Sequence, residues 1–427
     1  MIEFLYAKRS GDYLKHFHFP FDFAGNAFIP RKATIPLYCQ NKSAPPPIPV
    51  VSPGEYVREG QIIARAQSAD SVHVHASVPG FVSNFVTIES VHQNHLRGIE
   101  IRTQGKFDYL GKPQAHYPWE NTSVYELIRI IEDAGVVNTA ENSVSLALLL
   151  RQIKRLGGQK LSLIASDFDP SCKLDSFLTE KFTEKVAVGT AIIAKILDAQ
   201  TITCFHSFSK NGSVLQTLKN YVSFSADYAE KPFLYPYGSF SFLKETANSC
   251  TIDAATAVSV FEAVVNNQPV TASYVLITGR SLKTPQVLKA RIGTPIGSLI
   301  EECGGFKTKP SHIIINGLLK GEIINNLDMP VDKSLKSIHA VGKEINPAAK
   351  ISRCRHCGGC VRNCPVYIDP IRIITALERN QYTEDVRQAL RICRKCGLCS
   401  ASCASRIPLT EILAKAKMSF NIQGGGR

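Results

Sequence analysis

The sequence predicts a multidomain α+β protein. Three observations favour this fold class. The chain has 427 residues, more than one ordinary hydrophobic core organises. Hydrophobic residues make up 44% and charged residues 20%, as in globular proteins. Hydrophobic periodicity changes from strand-like to helical along the chain, and eight of the 13 cysteines lie in the last segment, between Cys354 and Cys403.

The first folded segment is predicted to be a small all-β module. Between Ala44 and Ile88, short β-branched runs are separated by Pro and Gly. The stretch PGEYVREGQIIA, with turns at Gly54 and Gly60, resembles the hammerhead half-motif of biotinyl and lipoyl domains. Those domains carry their cofactor on a lysine, and no lysine occurs from Ser43 to Gly105. The resemblance therefore implies a barrel-sandwich fold without swinging-arm chemistry.

Two histidines in this module alternate along a predicted strand. His73 and His75 would share one face, as two metal ligands might. No third ligand is evident in the sequence, so an ordinary strand is favoured over a metal site.

The middle of the chain predicts a Rossmann-like α/β domain. SVYELIRIIEDAGV and SVSLALLLRQIKRLGG have helical spacing, and Gly157 and Gly158 are placed to end the second helix. LSLIASDF and TITCF are predicted strands, with the helical stretch VAVGTAIIAKILDA between them. After Pro269, the stretches SYVLITG, RIGTPIGSLIEECGG and HIIINGLLKG predict the strand, helix and strand of a compact α+β unit.

Two cysteine runs share the spacing C-x2-C-x2-C-x3-C. Three thiols at two-residue gaps can bind one face of an iron–sulfur cube, whereas the fourth, one residue further on, points to a second cube. We therefore predict two [4Fe–4S] clusters with crossed ligation. Cluster 1 is assigned to Cys354, Cys357, Cys360 and Cys403, and cluster 2 to Cys393, Cys396, Cys399 and Cys364.

Structural zinc is the alternative for these cysteines. Two tetrahedral sites of four thiolates each would also use all eight. Zinc ligands usually come in pairs rather than in four-cysteine runs, so the spacing favours clusters. The residues between the runs have helical periodicity, which predicts a helical two-cluster ferredoxin domain.

The net charge of +13 raises the possibility of nucleic-acid binding. From Ile351 onward there are 13 Lys and Arg against five Asp and Glu, so most of the excess lies in the cysteine-rich tail. Thiolate-bound clusters would add negative charge there, which these cations offset. We therefore expect no nucleic-acid partner.

The order of these segments resembles the RnfC family, whose members belong to the Rnf complexes, ion-pumping membrane oxidoreductases that link ferredoxin to NAD. The resemblance runs from about Ile29 to Leu413 and is most specific in the cysteine runs, in Gly293-Thr294-Pro295 and in NNLDMPVDKSLKSIHAV. It implies a β-grasp domain of the SLBB type and an α/β domain similar to the flavoprotein subunit of respiratory complex I. The implied domains are an arm (1–30), a barrel-sandwich module (31–118), an α/β domain (119–266), an SLBB β-grasp domain (267–345) and a two-cluster ferredoxin domain (346–427).

The flavin and nucleotide motifs of that family are altered in this chain. The family's glycine-rich loop is replaced by VVNTAENSVS, and its Glu-Cys-Glu-Pro turn by DFDP. Its Tyr-Pro-x-Gly-Gly-Glu segment becomes YPYGSF, and its Asn-Val-Gly-Thr segment becomes DAAT. Side chains at former glycines fill space that FMN and NADH would need. The altered positions are Asn138, Glu141, Asp167, Asp169 and Asp253.

These changes predict a domain that binds neither FMN nor NADH. Glu141 would add repulsion toward a phosphate, and the pair Asp167 and Asp169 is interpreted as a solvated turn or a helix N-cap. No residue of this chain is predicted to be catalytic by itself.

The expected function is that of a peripheral electron-transfer subunit of an Rnf-type complex. Its expected partners are the membrane subunits and a soluble ferredoxin or flavodoxin. One alternative is an NADH-oxidising subunit that contains FMN, and another is a ferredoxin-like adaptor of a soluble or microcompartment reductase. The sequence contains no apolar run long enough to span a membrane and no signal peptide, so we expect the cytoplasmic side of the inner membrane.

Overall fold

The computed structural model describes residues 20–37, 45–88, 96–104, 117–141, 143–206, 213–222, 226–233, 235–236, 248–342 and 351–420. The strands in these ranges form two small facing sheets, a parallel sheet and a six-stranded mixed sheet, and the last described residues are helical. No helix within those ranges combines the length and the apolar character needed to cross a membrane.

The N-terminal strands enclose a small apolar core. A four-stranded sheet in the order β2-β8-β7-β4 faces a three-stranded sheet in the order β3-β5-β6, and Ile35, Ile63 and Ile99 are among the residues buried between them. Gly54 and Gly60 lie in turns with φ of 88° and 83°, as their predicted role requires. The strands are β1 (Asp22–Asn26), β2 (Lys32–Pro36), β3 (Ile48–Pro49), β4 (Tyr56–Val57), β5 (Ile62–Arg65), β6 (Val74–His75), β7 (Gly80–Ile88) and β8 (Leu96–Thr103).

A parallel four-stranded sheet with helices forms the α/β unit. Its strand order is β13-β12-β11-β14. The elements are α1 (Val124–Asp133), β9 (Val137–Asn138), β10 (Val144–Ser145), α2 (Leu146–Arg155), β11 (Lys160–Ala165), α3 (Leu174–Lys181), α4 (Thr183–Leu197), β12 (Thr201–His206), α5 (Ser213–Lys219), β13 (Asp227–Pro232), β14 (Ser249–Asp253) and α6 (Ala254–Val264).

Local sequence explains where the first two of these helices begin and end. The Ser123 hydroxyl accepts a hydrogen bond from the Glu126 amide (3.2 Å), which is one half of a capping box at the start of α1. Helix α2 ends before Gly157, whose φ of 68° is left-handed, and the amide of Gly158 donates back to the Ile153 carbonyl (2.9 Å). The helix stop predicted at the two glycines is confirmed.

The six-stranded sheet joins residues from both ends of the described chain. Its order is β1-β16-β15-β19-β17-β18, and β1 pairs in parallel with β16. Strand β1 lies inside the segment expected to be an irregular arm. The other elements of this unit are β15 (Ala272–Thr278), β16 (Gln286–Arg291), α7 (Ile296–Glu302), β17 (His312–Ile315), β18 (Glu322–Ile324) and β19 (Ser337–Val341).

A tight turn after β16 connects this sheet to the barrel-sandwich strands. Gly293 has φ of 92°, its carbonyl accepts from the Thr34 amide (3.0 Å), and a Cβ there would lie 3.0 Å from the Thr34 backbone. Arg291 adds an ion pair to Glu59 and a hydrogen bond to the Ser77 carbonyl (2.7 Å). The Gly-Thr-Pro segment therefore fixes one unit against the other.

Five helices make up the C-terminal unit, within the described residues, around a core that includes Ile373, Leu390 and Leu409. The segment between the cysteine runs is helical, as its periodicity predicted. The helices are α8 (Gly359–Arg362), α9 (Pro370–Glu378), α10 (Glu384–Ile392), α11 (Leu398–Ala401) and α12 (Leu409–Ser419).

Candidate functional site

The two cysteine runs have the same local backbone. Helices α8 and α11 each start directly after a left-handed glycine, Gly358 with φ of 68° and Gly397 with φ of 79°. His356 and Lys395, at matching positions of the two runs, both have φ of 50°. A Cβ at Gly397 would lie 2.2 Å from the Leu319 carbonyl oxygen, so only glycine fits there. The repeat in sequence is therefore also a repeat in structure.

Four thiols from both runs surround one cavity. Cys364 is the last cysteine of the first run, and it lines a cavity of about 330 Å³ together with Cys393, Cys396 and Cys399 of the second run. Cys364 and Cys396 are buried, and the other two are half-buried. The fold thus places Cys364 beside the second run.

Burial and mutual proximity shape the acidity of these thiols. Burial, followed by the charges of the other three cysteines, raises the pKa of Cys396 to about 12, and burial raises that of Cys399 to about 11. Burial also raises the pKa of Cys364, while the amides of Val366, Tyr367 and Ile368 oppose this effect. The same amides would stabilise thiolates that bind a cation or a cluster.

The first run lies closer to the surface. Cys357 is exposed, whereas Cys354, Cys360 and Cys403 are half-buried. Burial and the charge of Asp369 raise the pKa of Cys360, and the Cys403 thiol adds to this effect, so Cys403 lies near the first run. The two runs exchange their fourth cysteines in space.

The cysteines border a space rather than a point. Within the described ranges, no three His, Cys, Asp or Glu side chains come close enough to share one metal ion. A tetrahedral zinc site needs four sulfur atoms about 2.3 Å from one ion. A four-thiol cavity of about 330 Å³ instead suits a group of several atoms.

A second cluster of polar residues lies at the carboxyl edge of the parallel sheet, where α/β proteins usually bind ligands. We call it the carboxyl-edge network, and it is centred on Asp253, the last residue of β14. The Asp253 carboxylate accepts from the Thr256 amide at the start of α6 (2.8 Å) and from the hydroxyls of Thr139 and Thr256 (2.7 and 2.6 Å). The residues of the network are Asn138, Thr139, Asp175, Asp253, Thr256 and Lys336.

Lys336 occupies the centre of this network. Its ammonium lies 2.6 Å from a carboxylate oxygen of Asp175 and 2.6 Å from one of Asp253. Both aspartates are buried, with 1% and 0% of their side chains exposed. Burial opposes the charge of Lys336, but the two carboxylates outweigh it and raise its pKa above the usual value. The group is a buried ion triad that links two carboxylates of the α/β unit to the strand β19 segment.

The two carboxylates of the triad differ in acidity. Burial raises the pKa of Asp175 to about 7, and the charge of Asp253 contributes to the rise. Burial also opposes ionisation of Asp253, but Lys336 and the hydroxyls of Thr256 and Thr139 outweigh it and lower its pKa. The negative charge is therefore held mainly on Asp253.

The remaining altered positions are also used internally. Asn138 is buried and donates to the Thr251 carbonyl (2.8 Å). Asp167 accepts from the amides of Asp175 and Ser176 in the first turn of α3 (2.8 and 3.2 Å). The helix-capping role predicted for Asp167 is confirmed. The side chain of Glu141 lies outside the described residues.

The prediction of a solvated turn at the Asp-x-Asp pair is wrong, because both residues are buried. Asp169 accepts from the amides of Leu319 and Lys320 (2.8 and 3.0 Å), in the loop after β17. Backbone amides of a distant loop take the place of water around this carboxylate.

This same loop connects the carboxyl edge to the cysteines. Leu319 packs with Tyr235, Cys396 and Leu398 in one apolar cluster. The Tyr235 hydroxyl donates a hydrogen bond to the Cys396 carbonyl. Tyr235 and Pro236 are the described part of the altered Tyr-Pro segment, and Gly238 lies outside the described residues. One altered motif therefore contacts the backbone of a cysteine run directly.

Sequence reasoning missed Asp175 and Lys336. Asp175 had no motif around it, and Lys336 lies in a stretch that was noted only as a family resemblance. Their pairing joins residues separated by most of two units, so no local pattern indicated it.

Comparison with known proteins agrees with this architecture. Residues 25–106 match the family model of the RnfC barrel sandwich hybrid domain, and residues 274–322 match the SLBB domain. The chain is RnfC-like. It is 28% identical over 365 residues to an RnfC homologue from the ion-translocating oxidoreductase complex of Rhodobacter capsulatus, covering 81% of this chain and 70% of that protein.

Two further RnfC homologues cover the RnfC-like chain to a similar extent. The homologue from the proton-translocating ferredoxin:NAD(+) oxidoreductase complex of Clostridium ljungdahlii is 25% identical, over 83% of this chain and 80% of that protein. The homologue from the Na(+)-translocating ferredoxin:NAD(+) oxidoreductase complex of Acetobacterium woodii is 25% identical, over 79% and 80%. Among solved structures, an NAD+-reducing [NiFe]-hydrogenase in the H2-reduced state has a TM-score of 0.48 at 14% identity, covering 75% of this chain and 69% of that one.

Replacing Lys336 by Met should strongly destabilise the α/β unit of the RnfC-like chain. Asp175 and Asp253 would remain buried without their cation, and removal of one partner from a buried ion pair costs about 3–5 kcal/mol. Trp119 is the single tryptophan of the chain and is buried in the α/β core, so its fluorescence during urea unfolding reports this unit.

The exposed Lys160 on β11 provides the control, because K160M should change the free energy of unfolding by less than about 0.5 kcal/mol. Adding Asp175→Asn and Asp253→Asn to K336M should recover part of the loss. Equal stability of K336M and K160M would show that the triad contributes nothing to folding.

Proposed function

We propose that this chain is a peripheral electron-transfer subunit of an Rnf-type, ion-translocating oxidoreductase complex. The observation that carries the proposal is the cavity that Cys364 shares with Cys393, Cys396 and Cys399. The relatives of this chain are named as subunits of such complexes, which supports the same assignment. Under this proposal the chain is part of an enzyme and performs no substrate chemistry by itself.

The eight cysteines would hold two [4Fe–4S] clusters. The four-thiol cavity has the donor set that such a cluster requires, and we propose that Cys364, Cys393, Cys396 and Cys399 bind one cluster there. We assign the other cluster to Cys354, Cys357, Cys360 and Cys403. A bound cluster supplies reversible one-electron transfer.

The protein around the cavity would set charge and orientation. Arg394 and Lys395 line the cavity and offset the negative charge of four thiolates. The Thr410 hydroxyl lies 3.2 Å from the Cys399 sulfur, and hydrogen bonds to cluster sulfurs raise reduction potentials. Tyr235 holds the Cys396 backbone in place from the α/β unit.

The α/β unit would act without its own flavin. The carboxyl edge, where such a domain would hold FMN phosphate, instead contains the Lys336 ion triad and the buried aspartates Asp167 and Asp169. Carboxylates repel a phosphate, and Lys336 is already paired twice. The residues at this edge do not fit FMN or NADH, so we propose that electrons enter through the clusters.

Its partners would be the membrane subunits of the complex and a soluble ferredoxin or flavodoxin that exchanges single electrons. Such partners imply a peripheral position at the cytoplasmic face of the membrane. The five expected domains, with boundaries near residues 30, 118, 266 and 345, would then divide the work between docking and electron transfer.

Substitution of the two exchanged cysteines should affect opposite clusters. In the protein purified without oxygen, iron and sulfide should each approach about eight per chain. C364S should alter the paramagnetic resonance of the cluster on the second run, and C403S that of the cluster on the first run. Cys204→Ala, a buried cysteine outside both runs, serves as the control and should keep full iron content.

Each substitution must act across the runs for the proposal to hold. If C364S altered only the cluster bound by Cys354, Cys357 and Cys360, the crossed ligation would be wrong. Tightly bound zinc in place of iron would overturn the electron-transfer function itself.

Flavin and nucleotide titrations test the α/β unit separately. Titration with FMN under anaerobic conditions should give no stoichiometric uptake, because the ion triad fills the carboxyl edge. NADH alone should leave the clusters oxidised, whereas a reduced ferredoxin should reduce them. Uptake of one FMN per chain, or cluster reduction by NADH alone, would instead support the NADH-oxidising alternative.

Removal of the Tyr235 hydroxyl should lower the potential of one cluster. The hydroxyl donates toward the Cys396 carbonyl and so favours the more negative, reduced state. A hydrogen bond contributes about 0.5–1.5 kcal/mol, which in a one-electron couple corresponds to a fall of up to about 60 mV in Y235F. Redox titration should leave the other cluster unchanged, and Tyr125→Phe, on an exposed side chain, should leave both unchanged. A fall of equal size at both clusters would contradict the local effect.

A further inference from the structure

A second cavity lies where three units of the chain meet. It has a volume of about 470 Å³, within the range typical of small-molecule sites. Its walls are mainly apolar: Ile35 and Val74 come from the barrel-sandwich strands, Val137 from the α/β unit, and Ile292 from the end of the six-stranded sheet. No residue of this cavity belongs to the cysteine runs or to the carboxyl-edge network.

Lys333 is a cation at this cavity without a carboxylate partner among the described residues. Its ammonium donates to the Gly135 carbonyl (2.6 Å) and to the His73 carbonyl (3.3 Å). An ammonium has three protons, so one donor position remains after these two bonds. Burial alone lowers its pKa to about 7. A cation in this setting gains stability from any anion placed beside it.

Lys336, three residues further on, provides an internal comparison. It is paired with two buried carboxylates, and they raise its pKa. The two lysines lie in the same segment and differ in that one has its counter-charge within the protein. For Lys333, a ligand can supply the missing charge.

His75 gives the cavity a second polar anchor. Its side chain is buried, with 4% exposed, and its Nδ1 atom has no hydrogen-bond partner among the described residues. Burial, Lys333 and His73 lower its pKa to about 3, so the ring is neutral. The ring also bonds to the Asp133 backbone, which leaves Nδ1 as the bare acceptor. A buried acceptor without a donor is unfavourable, and a ligand hydroxyl would satisfy it.

One acidic group also faces the cavity. Asp332 is buried, and its Oδ1 atom accepts from the Ser334 amide and hydroxyl (2.8 and 2.6 Å). That carboxylate is therefore engaged by its own turn. Its charge disfavours an anion next to it and restricts the anionic end of a ligand to the Lys333 side of the cavity.

We propose that this cavity binds a small, mainly apolar hydroxycarboxylate. The carboxylate pairs with the Lys333 ammonium, the hydroxyl donates to His75 Nδ1, and the hydrocarbon part packs against the apolar walls. Because the cavity is lined by all three units, an occupied site holds them in one relative arrangement.

Three matched probes test the proposal on the full chain, purified with its clusters under anaerobic conditions. They are 2-hydroxyoctanoate, octanoate, which lacks the hydroxyl, and 2-octanol, which lacks the carboxylate. Binding is measured by calorimetry at millimolar ligand. We expect 2-hydroxyoctanoate to bind most tightly, and Lys333→Met to weaken it about tenfold or more, because a charge-assisted hydrogen bond contributes about 1.5–3 kcal/mol. The same substitution should leave 2-octanol unchanged.

Two control variants separate the site from the fold. Lys307→Met, on an exposed lysine of the same unit, should bind all three probes as the unaltered chain does. Val72→Phe keeps Lys333 but fills the cavity, so it should abolish binding of every probe even if K333M fails to fold. No binding of 2-hydroxyoctanoate to the unaltered chain, or unchanged binding in V72F or K333M, would overturn the proposal. Equal affinity for the two acids would overturn the role of His75.

Discussion

The buried ion pair between Lys336 and two aspartates is the interaction on which the arrangement of the α/β unit depends. Asp253 begins helix α6, Asp175 lies in the first turn of α3, and Lys336 precedes strand β19. One ammonium therefore holds two helix starts and a strand of the neighbouring sheet. Such an arrangement tolerates no single loss, because each charge left behind would be buried without compensation. The carboxyl edge of the sheet is thereby committed to structure.

That commitment extends to the cysteine runs through backbone contacts. Asp169 fixes the loop at Leu319 by its amides, and Leu319 in turn packs so closely on Gly397 that no side chain fits there. Gly397 is the residue from which helix α11 starts. A carboxylate in the α/β unit and a glycine between two cysteines are thus parts of one mechanical connection that runs through the backbone of the Leu319 loop.

Features that depend on neighbours in sequence could be predicted, and features that depend on distant partners could not. The start of α1 follows from Ser123 and Glu126, which are three residues apart, and the end of α2 follows from its two glycines. The spacing of the cysteines likewise predicts which thiols lie near one another. The burial of Asp169 could not be read in this way, because its amide partners lie about 150 positions further along the chain. Lys333 and Lys336 resemble each other in sequence and differ only in what the fold places beside them.

Strand β1 has a consequence for how the chain is made. Asp22 pairs with Gln286, so the first described strand forms the edge of a sheet whose other strands are all synthesised more than 200 residues later. A nascent chain emerging from the ribosome therefore exposes Phe21 and Phe23, which end up against Phe177 and Phe182, well before the sheet exists to receive the strand. Contacts so distant in sequence close slowly. The barrel-sandwich strands, which are local, can complete their own fold in the meantime and keep the unpaired strand tethered near its final position.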